Sequence, residues 1–562
     1  MLISKLKIEN FRGIDDLEID LEPSTVLIGA NNVGKTSVLT ALDVALGRQT
    51  GRGPRLADYD HRRKDADRDL PNGHQVRITL TFTETKAQPW SVGFAQALNE
   101  AIQLSPEGTR NIVFRLTSTY DATAREFDVE TGFLNLNGEP LPIKRLDAFL
   151  RSFSPVFYLP AERSAASDFR TGARFWSPFL RDPTLAPGDR DKLEKKLQEI
   201  SSEVMASAPD LNALRKILDG SRQLIDLNAQ DPVDLEPLPT RLPEVLRRTE
   251  VRLTTPAGAS VPLDRHGGGT QNVAVLFLFQ AYLATVLASE YEPEAFPVLA
   301  IEEPEAHLHP SATRAAWNIL NSMQGQKIIA SHSGDLLSLA PLSAVRRLAR
   351  NGDKIEVFKV QDGTLSKKDA RKVDFHIRRA RGELLFGDVW LLGEGESEYW
   401  ILTGAAEGLD LDLERAGVRI VDGFAQAGAA ALVKVADDLG IAWHCLADGD
   451  AAGQRTVRSL SPLLKERDAE EHITLLPFTC IEHLLCEEGF GDVYENALQK
   501  SERDELTPLG DPQHWKEVAG KVKGKRKVPL AVEVAEMLGR REKAVPQALQ
   551  NVLQAALKLA PG

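Results

Sequence analysis

Apolar residues near the start of the chain recur at every second position. Leu2 to Phe11 (LISKLKIENF) and Leu17 to Leu21 read as strands, and Thr25 to Ile28 is a short continuous apolar run. Gly29 to Thr36 (GANNVGKT) breaks the pattern, and Ser37 to Leu42 resumes it with helical spacing. Arg48 to Arg68 is polar and glycine-bearing, so it reads as a loop. Alternation returns at Gln75 to Phe82 and Asn111 to Ser118, and Val156 to Pro160 is an apolar strand running into Ala161-Glu162-Arg163. Asp189 to Ala206 and Asp210 to Asp219 are amphipathic helical stretches, and the proline-rich Pro232 to Pro243 ends this region. They make either an ordinary surface hairpin or one that pairs two copies of the chain. Then come a long apolar helix, Asn272 to Leu287, and two buried strands, Phe296 to Ile301 and Lys327 to Ala330. Further on, strands at Asp388 to Leu392, Arg419 to Val421 and Ala442 to Ala447 surround a helix at Ala429 to Leu439, and another helix spans Leu530 to Leu538. The pattern is α/β throughout.

The chain has 562 residues, room for several domains at ~150 residues each. It is 42% hydrophobic and 27% charged, the balance of a soluble globular protein. No window approaches the ~18 continuous apolar residues of a membrane span. The charged start MLISKLKIENFRG lacks a signal-peptide core, so no membrane partner and a cytoplasmic location are expected. Cys445, Cys480 and Cys486 form no zinc-ligand spacing and fit a reducing compartment. With a net charge of −13, any nucleic-acid contact must use local basic patches.

GANNVGKT fits the phosphate-loop pattern between a strand and a helix. Backbone N–H groups of Asn31, Asn32, Gly34 and Ser37 would cradle phosphates, Lys35 would reach the β- and γ-phosphates of ATP, and Thr36 would hold Mg²⁺. Ile8 to Gly13 (Ile-x-Asn-Phe-Arg-Gly), ahead of that loop, resembles the opening of the ABC-type ATPase heads of RecF and the SMC proteins. Arg265 to Gln271 (RHGGGTQ) opens the long apolar helix. By resemblance, its Gly268, Gly269 and Gln271 are the signature loop that binds the γ-phosphate held by another subunit, although the usual form is LSGGQ. The Phe296–Ile301 strand ends in Glu302-Glu303-Pro304-Glu305. Two carboxylates there are the expected Mg²⁺ ligand, Glu302, and the group that positions the attacking water, Glu303. Asp is commoner at the first of these positions. His307 and His309 find no third partner for a metal site. His332, after the next strand, resembles the switch histidine that senses γ-phosphate.

The second half carries a different chemistry. Ser366 to Gly382 is a charged helical linker with Lys367, Lys368, Arg371, Lys372, Arg378, Arg379 and Arg381, a solvated surface or a phosphate contact. Glu394 then stands at a strand end, Glu398 in the first turn of the following helix, and Asp448-Gly449-Asp450 at a later strand end. This order resembles the Toprim domain of topoisomerases, primases and OLD-family nucleases. Hard oxygen ligands at strand ends suit Mg²⁺ or Mn²⁺, and two such ions clamp the attacking and leaving oxygens of phosphodiester cleavage. Glu482 resembles the extra carboxylate that OLD nucleases add for a second metal, beside His483, where an acid is often found. Lys521 to Lys527 (KVKGKRK) is the densest basic run. In the family a lysine just before the next helix stabilises transition-state charge, and both Lys527 and Lys525 fit.

An ABC/SMC-like P-loop ATPase head with a helical insertion, followed by a Toprim α/β domain with helical additions, is the architecture of the OLD (overcoming lysogenization defect) family. The Gabija nuclease subunit is built the same way. The expected segments are 1–164 and 241–365 for the ATPase, 165–240 for the helical insertion, 366–384 for the linker and 385–562 for the Toprim region. The resemblance implies an ATP-dependent or ATP-regulated DNA endonuclease in phage defence or DNA repair, with two Mg²⁺ or Mn²⁺ ions. It also implies a homodimer or higher oligomer and leaves room for a helicase partner. A non-nucleolytic RecF/SMC-like repair ATPase explains the first half but gives no use for Glu394, Glu398, Asp448, Asp450 and Glu482. A primase would need a zinc module, a topoisomerase a tyrosine domain, and a transport ATPase membrane partners.

Overall fold

The computed structural model describes residues 1–47, 56–63, 70–86, 89–143, 146–169, 173–181, 185–186, 188–219, 235–254, 258–380, 382–424, 428–522 and 524–561. Three sheets organise it. The first holds β1 (Leu2–Phe11), β2 (Ile14–Asp20), β4 (Gln75–Thr83), β5 (Gln103–Leu104), β6 (Arg110–Asp121) and β7 (Glu126–Leu134), antiparallel in the order β2-β1-β4-β6-β5, with β7 also on β6. The second is built from β3 (Ser24–Ile28), β8 (Val156–Leu159), β11 (Val298–Glu302), β12 (Gln326–Ala330), β13 (Val345–Asn351) and β14 (Lys354–Phe358), in the order β14-β13-β3-β12-β11-β8. All its pairs are parallel except β13 with β14. A short hairpin of β9 (Arg252–Thr254) and β10 (Ser260–Pro262) stands apart. The third sheet is parallel, with β15 (Val389–Leu392), β16 (Val418–Val421), β17 (Ala442–Ala447) and β18 (Ile473–Leu475) in the order β16-β15-β17-β18.

The apolar patterning explains these layers. β3, β11 and β15 read as near-continuous apolar runs because their sheets are covered on both faces. β1 alternates because one face meets the core and the other is partly solvated. One core lies between the first two sheets, around Ile8, Phe82, Leu42 and Ile328. A second runs from Phe157 and Phe279 of the ATPase half to Trp390, Leu432 and Trp443 of the Toprim half. The two halves are therefore packed together. Arg347 of β13 cements them: its guanidinium donates to Asp388 Oδ1 (2.6 Å) and to the carbonyls of Gly387 (3.3 Å), Leu439 (3.3 Å) and Gly440 (3.2 Å).

Some elements differ from the sequence expectations. The charged linker forms the helix Lys367–Arg379 and buries Val373, His376 and Ile377, so it is one face of the shared core as well as a charged surface. Arg381 lies outside the described residues. The helix expected over Asn272–Leu287 begins at Gly268 and ends at Thr285, which puts Gly268 and Gly269 in its first turn. The helical insertion forms Asp189–Ser207 and Pro209–Asp219, with Leu193, Ile200, Leu214 and Ile217 exposed. Most of the Arg48–Arg68 loop and the first residues of Pro232–Pro243 lie outside the described residues. The described part of that loop includes a turn at Asp58–Asp60, where Arg12 donates to Asp60 (2.8 Å). No described helix is long and apolar enough to cross a membrane.

Candidate functional site

The phosphate loop leaves β3 at Gly29, whose φ of +144° suits glycine, and a Cβ there would lie 2.3 Å from the Leu348 carbonyl oxygen. Gly34, at φ +104°, precedes the helix Lys35–Leu46. Lys35 folds back and donates to the carbonyls of Gly29 and Ala30, both at 2.8 Å. Burial pulls its pKa down to about 8, against the attraction of Glu303 and Glu302. Beyond the loop stands the end of β11. Thr36 Oγ1 donates to the Glu302 carboxylate, and Tyr158 Oη donates to Glu302 Oε2 at 2.7 Å. Glu303 sits in the left-handed region at φ 43°, with His332 Nε2 3.8 Å from its Oε1. Burial, then Lys35, press the His332 pKa below the ordinary range.

These groups line one cavity of about 510 Å³. Asn31, Asn32, Gly34, Lys35, Thr36 and Ser37 face Glu302, Glu303 and His332 across it, with Gly13 and Ala330. Gly268, Gly269 and Gln271 are not among its lining residues. A Cβ at Gly269 would fall 2.6 Å from the His307 carbonyl oxygen, so the turn at residues 267–269 lies against the loop that follows β11. Gln271 accepts from Ala165 N (2.9 Å) and donates to His266 O (2.7 Å). His309 caps the helix Pro310–Ser322 by accepting from Ser311 N at 3.3 Å.

Three side chains in this region escape the sequence reading. Tyr158 is the first. Arg163 is the second: it donates to the Glu303 carbonyl (2.9 Å), to the Glu302 carbonyl and to Asn272 Oδ1 (2.9 Å), tying the helix Gly268–Thr285 to the acidic strand end. Glu305 is the third; its Oε1 accepts from Ser331 Oγ (2.6 Å), His332 N (3.0 Å) and Ser333 N (3.1 Å). The available signals were a cation just past β8 and a third acid in Glu-Glu-Pro-Glu.

The Toprim half presents its own crevice where β15 and β17 end. Glu394 follows β15, and Glu398 lies in the first turn of the helix Glu396–Gly408, its Oε2 accepting from Gly395 N at 2.8 Å. Asp448 and Asp450 follow β17. A Cβ at Gly449 would come within 2.4 Å of the Leu476 and Phe478 carbonyl oxygens, so the Asp-Gly-Asp turn requires its glycine. Asp450 caps the helix Ala451–Leu460 through Oδ1, which accepts from Ala452 N (2.7 Å) and Gly453 N (2.8 Å). Glu482, on the helix Ile481–Leu485, is only 2% exposed. Lys527 opens the helix Lys527–Gly539, which packs on the helix Glu396–Gly408 so closely that a Cβ at Gly404 would meet the Ala535 carbonyl oxygen at 2.3 Å. That packing brings Lys527 Nζ to 3.0 Å from Glu482 Oε1. The Lys525 side chain lies outside what the structure describes. His483 turns to Glu487 (3.4 Å) and Thr479 (3.1 Å).

The electrostatics of this crevice are those of crowded carboxylates. Burial, then Glu398, Glu394, Glu482 and Asp450, push the Asp448 pKa up to about 8. Burial pushes Glu398 up to about 7, with Glu482 and Glu394 adding to it. Glu394 is raised by burial and by Asp450, and its Oε2 is buried without a hydrogen-bond partner. Burial opposes the charge of Lys527, yet Glu482 holds its ammonium above the ordinary lysine range. Among the described residues, no three His, Cys, Asp or Glu side chains close on one point tightly enough to hold an ion as they stand. A divalent cation nevertheless fits this donor set, because it would satisfy the orphaned Glu394 oxygen and offset the burial and mutual repulsion that hold Asp448 and Glu398 toward their neutral forms.

Comparison with known proteins follows the same division. Residues 1–383 match the model "Protein of unknown function (DUF2813)". Residues 385–450 match the model "Overcoming lysogenization defect protein-like, TOPRIM domain", a span that includes Glu394, Glu398, Asp448 and Asp450. The chain is 31% identical to the uncharacterized protein YbjD of Escherichia coli (strain K12) over 587 aligned positions, covering 100% of both. It is 24% identical to the OLD nuclease of Thermus scotoductus, with 80% of this chain and 82% of the relative covered. With the Old nuclease of Escherichia phage P2 it shares 25% identity over 80% of this chain and 77% of that protein.

Proposed function

Since the chain belongs to the OLD family, with DUF2813 over its first part and an OLD-like Toprim domain after it, we propose that it is a nuclease that cuts DNA in its Toprim crevice under the control of an ATPase head. The observation that carries this reading is the convergence of Glu394, Glu398, Asp448 and Glu482, with Lys527, where β15 and β17 end. Glu394, Glu398, Asp448, Asp450 and Glu482 would hold two Mg²⁺ or Mn²⁺ ions. Such ions supply charge neutralisation at the scissile phosphate and a water acidic enough to attack it. Lys527 reaches over Glu482 and would offset the charge that develops on the phosphate oxygens. Asp450 fixes the start of its helix and so fixes the turn that carries Asp448.

In the head, Lys35 would exchange its two carbonyl partners for ATP phosphate oxygens, and Thr36 with Glu302 would hold Mg²⁺. Glu303 would orient the attacking water, with His332 beside it. Arg163 keeps Glu303 at its place by binding its carbonyl. Gly268, Gly269 and Gln271 lie outside their own chain's cavity, which suits a signature turn that meets the γ-phosphate of a second copy. The exposed leucines and isoleucines of the helical insertion suit pairing of copies too. A cytoplasmic role in phage defence or DNA repair, with room for a helicase partner, is consistent with this chemistry.

The test is Asp448→Ala. Cleavage of supercoiled, linear and single-stranded DNA with Mg²⁺ or Mn²⁺ should disappear, while ATP hydrolysis stays near the parent rate. A variant that cuts DNA as fast as the parent removes the Toprim crevice from the reaction.

A further inference from the structure

The outer edge of the Toprim sheet carries a second feature, separate from the acidic crevice. A groove of about 1180 Å³ runs along β16, walled by the helix Lys367–Arg379 on one side and the helix Glu396–Gly408 on the other. β16 is an edge strand: it pairs with β15, and no other described strand joins it. The hydrogen bonds fix which backbone groups face out. Asp388 N donates to Gly417 O (2.8 Å) and Gly393 N to Val421 O (2.9 Å), so alternate residues beginning at Gly417 face β15. Val418 and Ile420 therefore turn their backbone groups toward the groove. Leu413 O takes the Val418 N–H (2.8 Å), which leaves the Val418 carbonyl and both backbone groups of Ile420 aimed outward.

The side chains of the groove have one character. Tyr399 and Trp400 stand edge to face, with ring centroids 5.5 Å apart, and are 39% and 37% exposed. Around them lie Glu383, Glu396, Glu407, Asp412 and Glu414, all exposed and without an ion-pair partner among the described residues. The groove's cations, Arg379, Arg419 and His376, are fewer than these carboxylates. Arg379 is engaged by Asp422 (3.2 Å), and burial presses His376 below the ordinary histidine range. The excess of carboxylates over cations disfavours a polyanion such as nucleic acid as the occupant. An extended chain bearing arginine or lysine at alternate positions fits on every count. Its backbone would pair with Ile420, its cations would meet the five carboxylates, and a guanidinium would lie on Trp400.

We propose that this groove is a docking site for an extended, cationic segment of a partner polypeptide, added as a further strand on β16. The proposal does not depend on the nuclease reading, because neither Glu394 nor Asp448 faces the groove's lining. The probe is a short fluorescent peptide of alternating valine and arginine, with its valine–glutamate counterpart, read by anisotropy on the full-length protein. The arginine peptide should bind and the glutamate peptide should not. Trp400→Ala, and separately the pair Glu407→Lys with Glu414→Lys, should weaken binding by ~10-fold or more, the scale of an aromatic or charged anchor. Ile420→Pro, which removes the outward N–H from an edge strand, should weaken it too. The charge-matched pair Glu199→Lys with Glu203→Lys, on the helix Asp189–Ser207, should bind like the parent. The proposal fails if that control loses as much affinity as the groove variants. It also fails if DNA oligonucleotides displace the peptide, or if the groove variants change only the oligomeric state of the chain.

Discussion

Two acidic strand ends, Glu302–Glu303 after β11 and Glu394 with Asp448 after β15 and β17, stand at equivalent places in parallel sheets. They are held in opposite ways. At the head, the lysine and the first acid have partners before any ligand arrives, although Glu305 Oε2 is buried without one. Lys35 rests on two carbonyls, Glu302 accepts from Thr36 and Tyr158, and the Glu303 backbone is held by Arg163. In the Toprim crevice, burial and then neighbouring carboxylates raise the pKa values of Glu394, Glu398 and Asp448, one carboxylate oxygen is orphaned, and Lys527 is the cation that balances Glu482. On the proposed function, the first site receives an anion and the second is completed by cations. A cation and an acid that already have partners can exchange them for nucleotide with little rearrangement, whereas crowded buried carboxylates would make their geometry conditional on metal.

That contrast can be broken by separating the two chemistries. Glu303→Gln should lower ATP hydrolysis by ~10²–10³-fold while leaving ATP binding intact, because the carboxylate acts on water and not on the nucleotide. Steady-state turnover beside equilibrium ATP binding checks it, and parent-like turnover removes Glu303 from that role. Lys527→Ala should slow DNA cleavage by ~10²-fold, the usual cost of one charge-stabilising group, without loss of bound metal. A mutant that loses metal as well would show that Lys527 organises the carboxylates instead.

The smallest effect, per pH unit, concerns Lys35. On the proposed role, the protonated form of Lys35 binds phosphate, and burial lowers its pKa in the nucleotide-free protein to about 8. Below that pH the charge is present and affinity is flat. Above it, binding must first take up a proton, so ATP affinity should fall by up to ~10-fold per pH unit until the ordinary lysine range is reached. ATP titrations across this range read the break directly, and a flat profile would place Lys35 outside the phosphate contacts.

Much of both centres was legible along the chain, because the informative residues are local. GANNVGKT, Glu302-Glu303 and Asp448-Gly449-Asp450 each lie within one strand, loop and helix start, where spacing alone carries the chemistry. Glu482 and Lys527 came into view only through family resemblance; what joins them to the other acids is a packed helix pair that no local pattern reports. Tyr158 and Arg163 were missed for the same reason, since their partners sit on a strand that pairs with β8 only in space. β13 was missed because Arg346 and Arg347, both buried, disguise an apolar strand as a charged one. β7 was missed because it lies half solvated on β6, so its alternation is weak. Buried charge and cross-chain packing are where sequence patterning loses its grip.

The central claim is that the Toprim crevice is completed by divalent cations. Isothermal titration of the metal-free, nucleotide-free protein with Mn²⁺ tests it most directly, with Asp448→Asn run beside the parent. The account predicts two binding events in the parent and loss of at least one in Asp448→Asn, while Thr36→Ala leaves both unchanged. Equal Mn²⁺ binding by the parent and Asp448→Asn would contradict it.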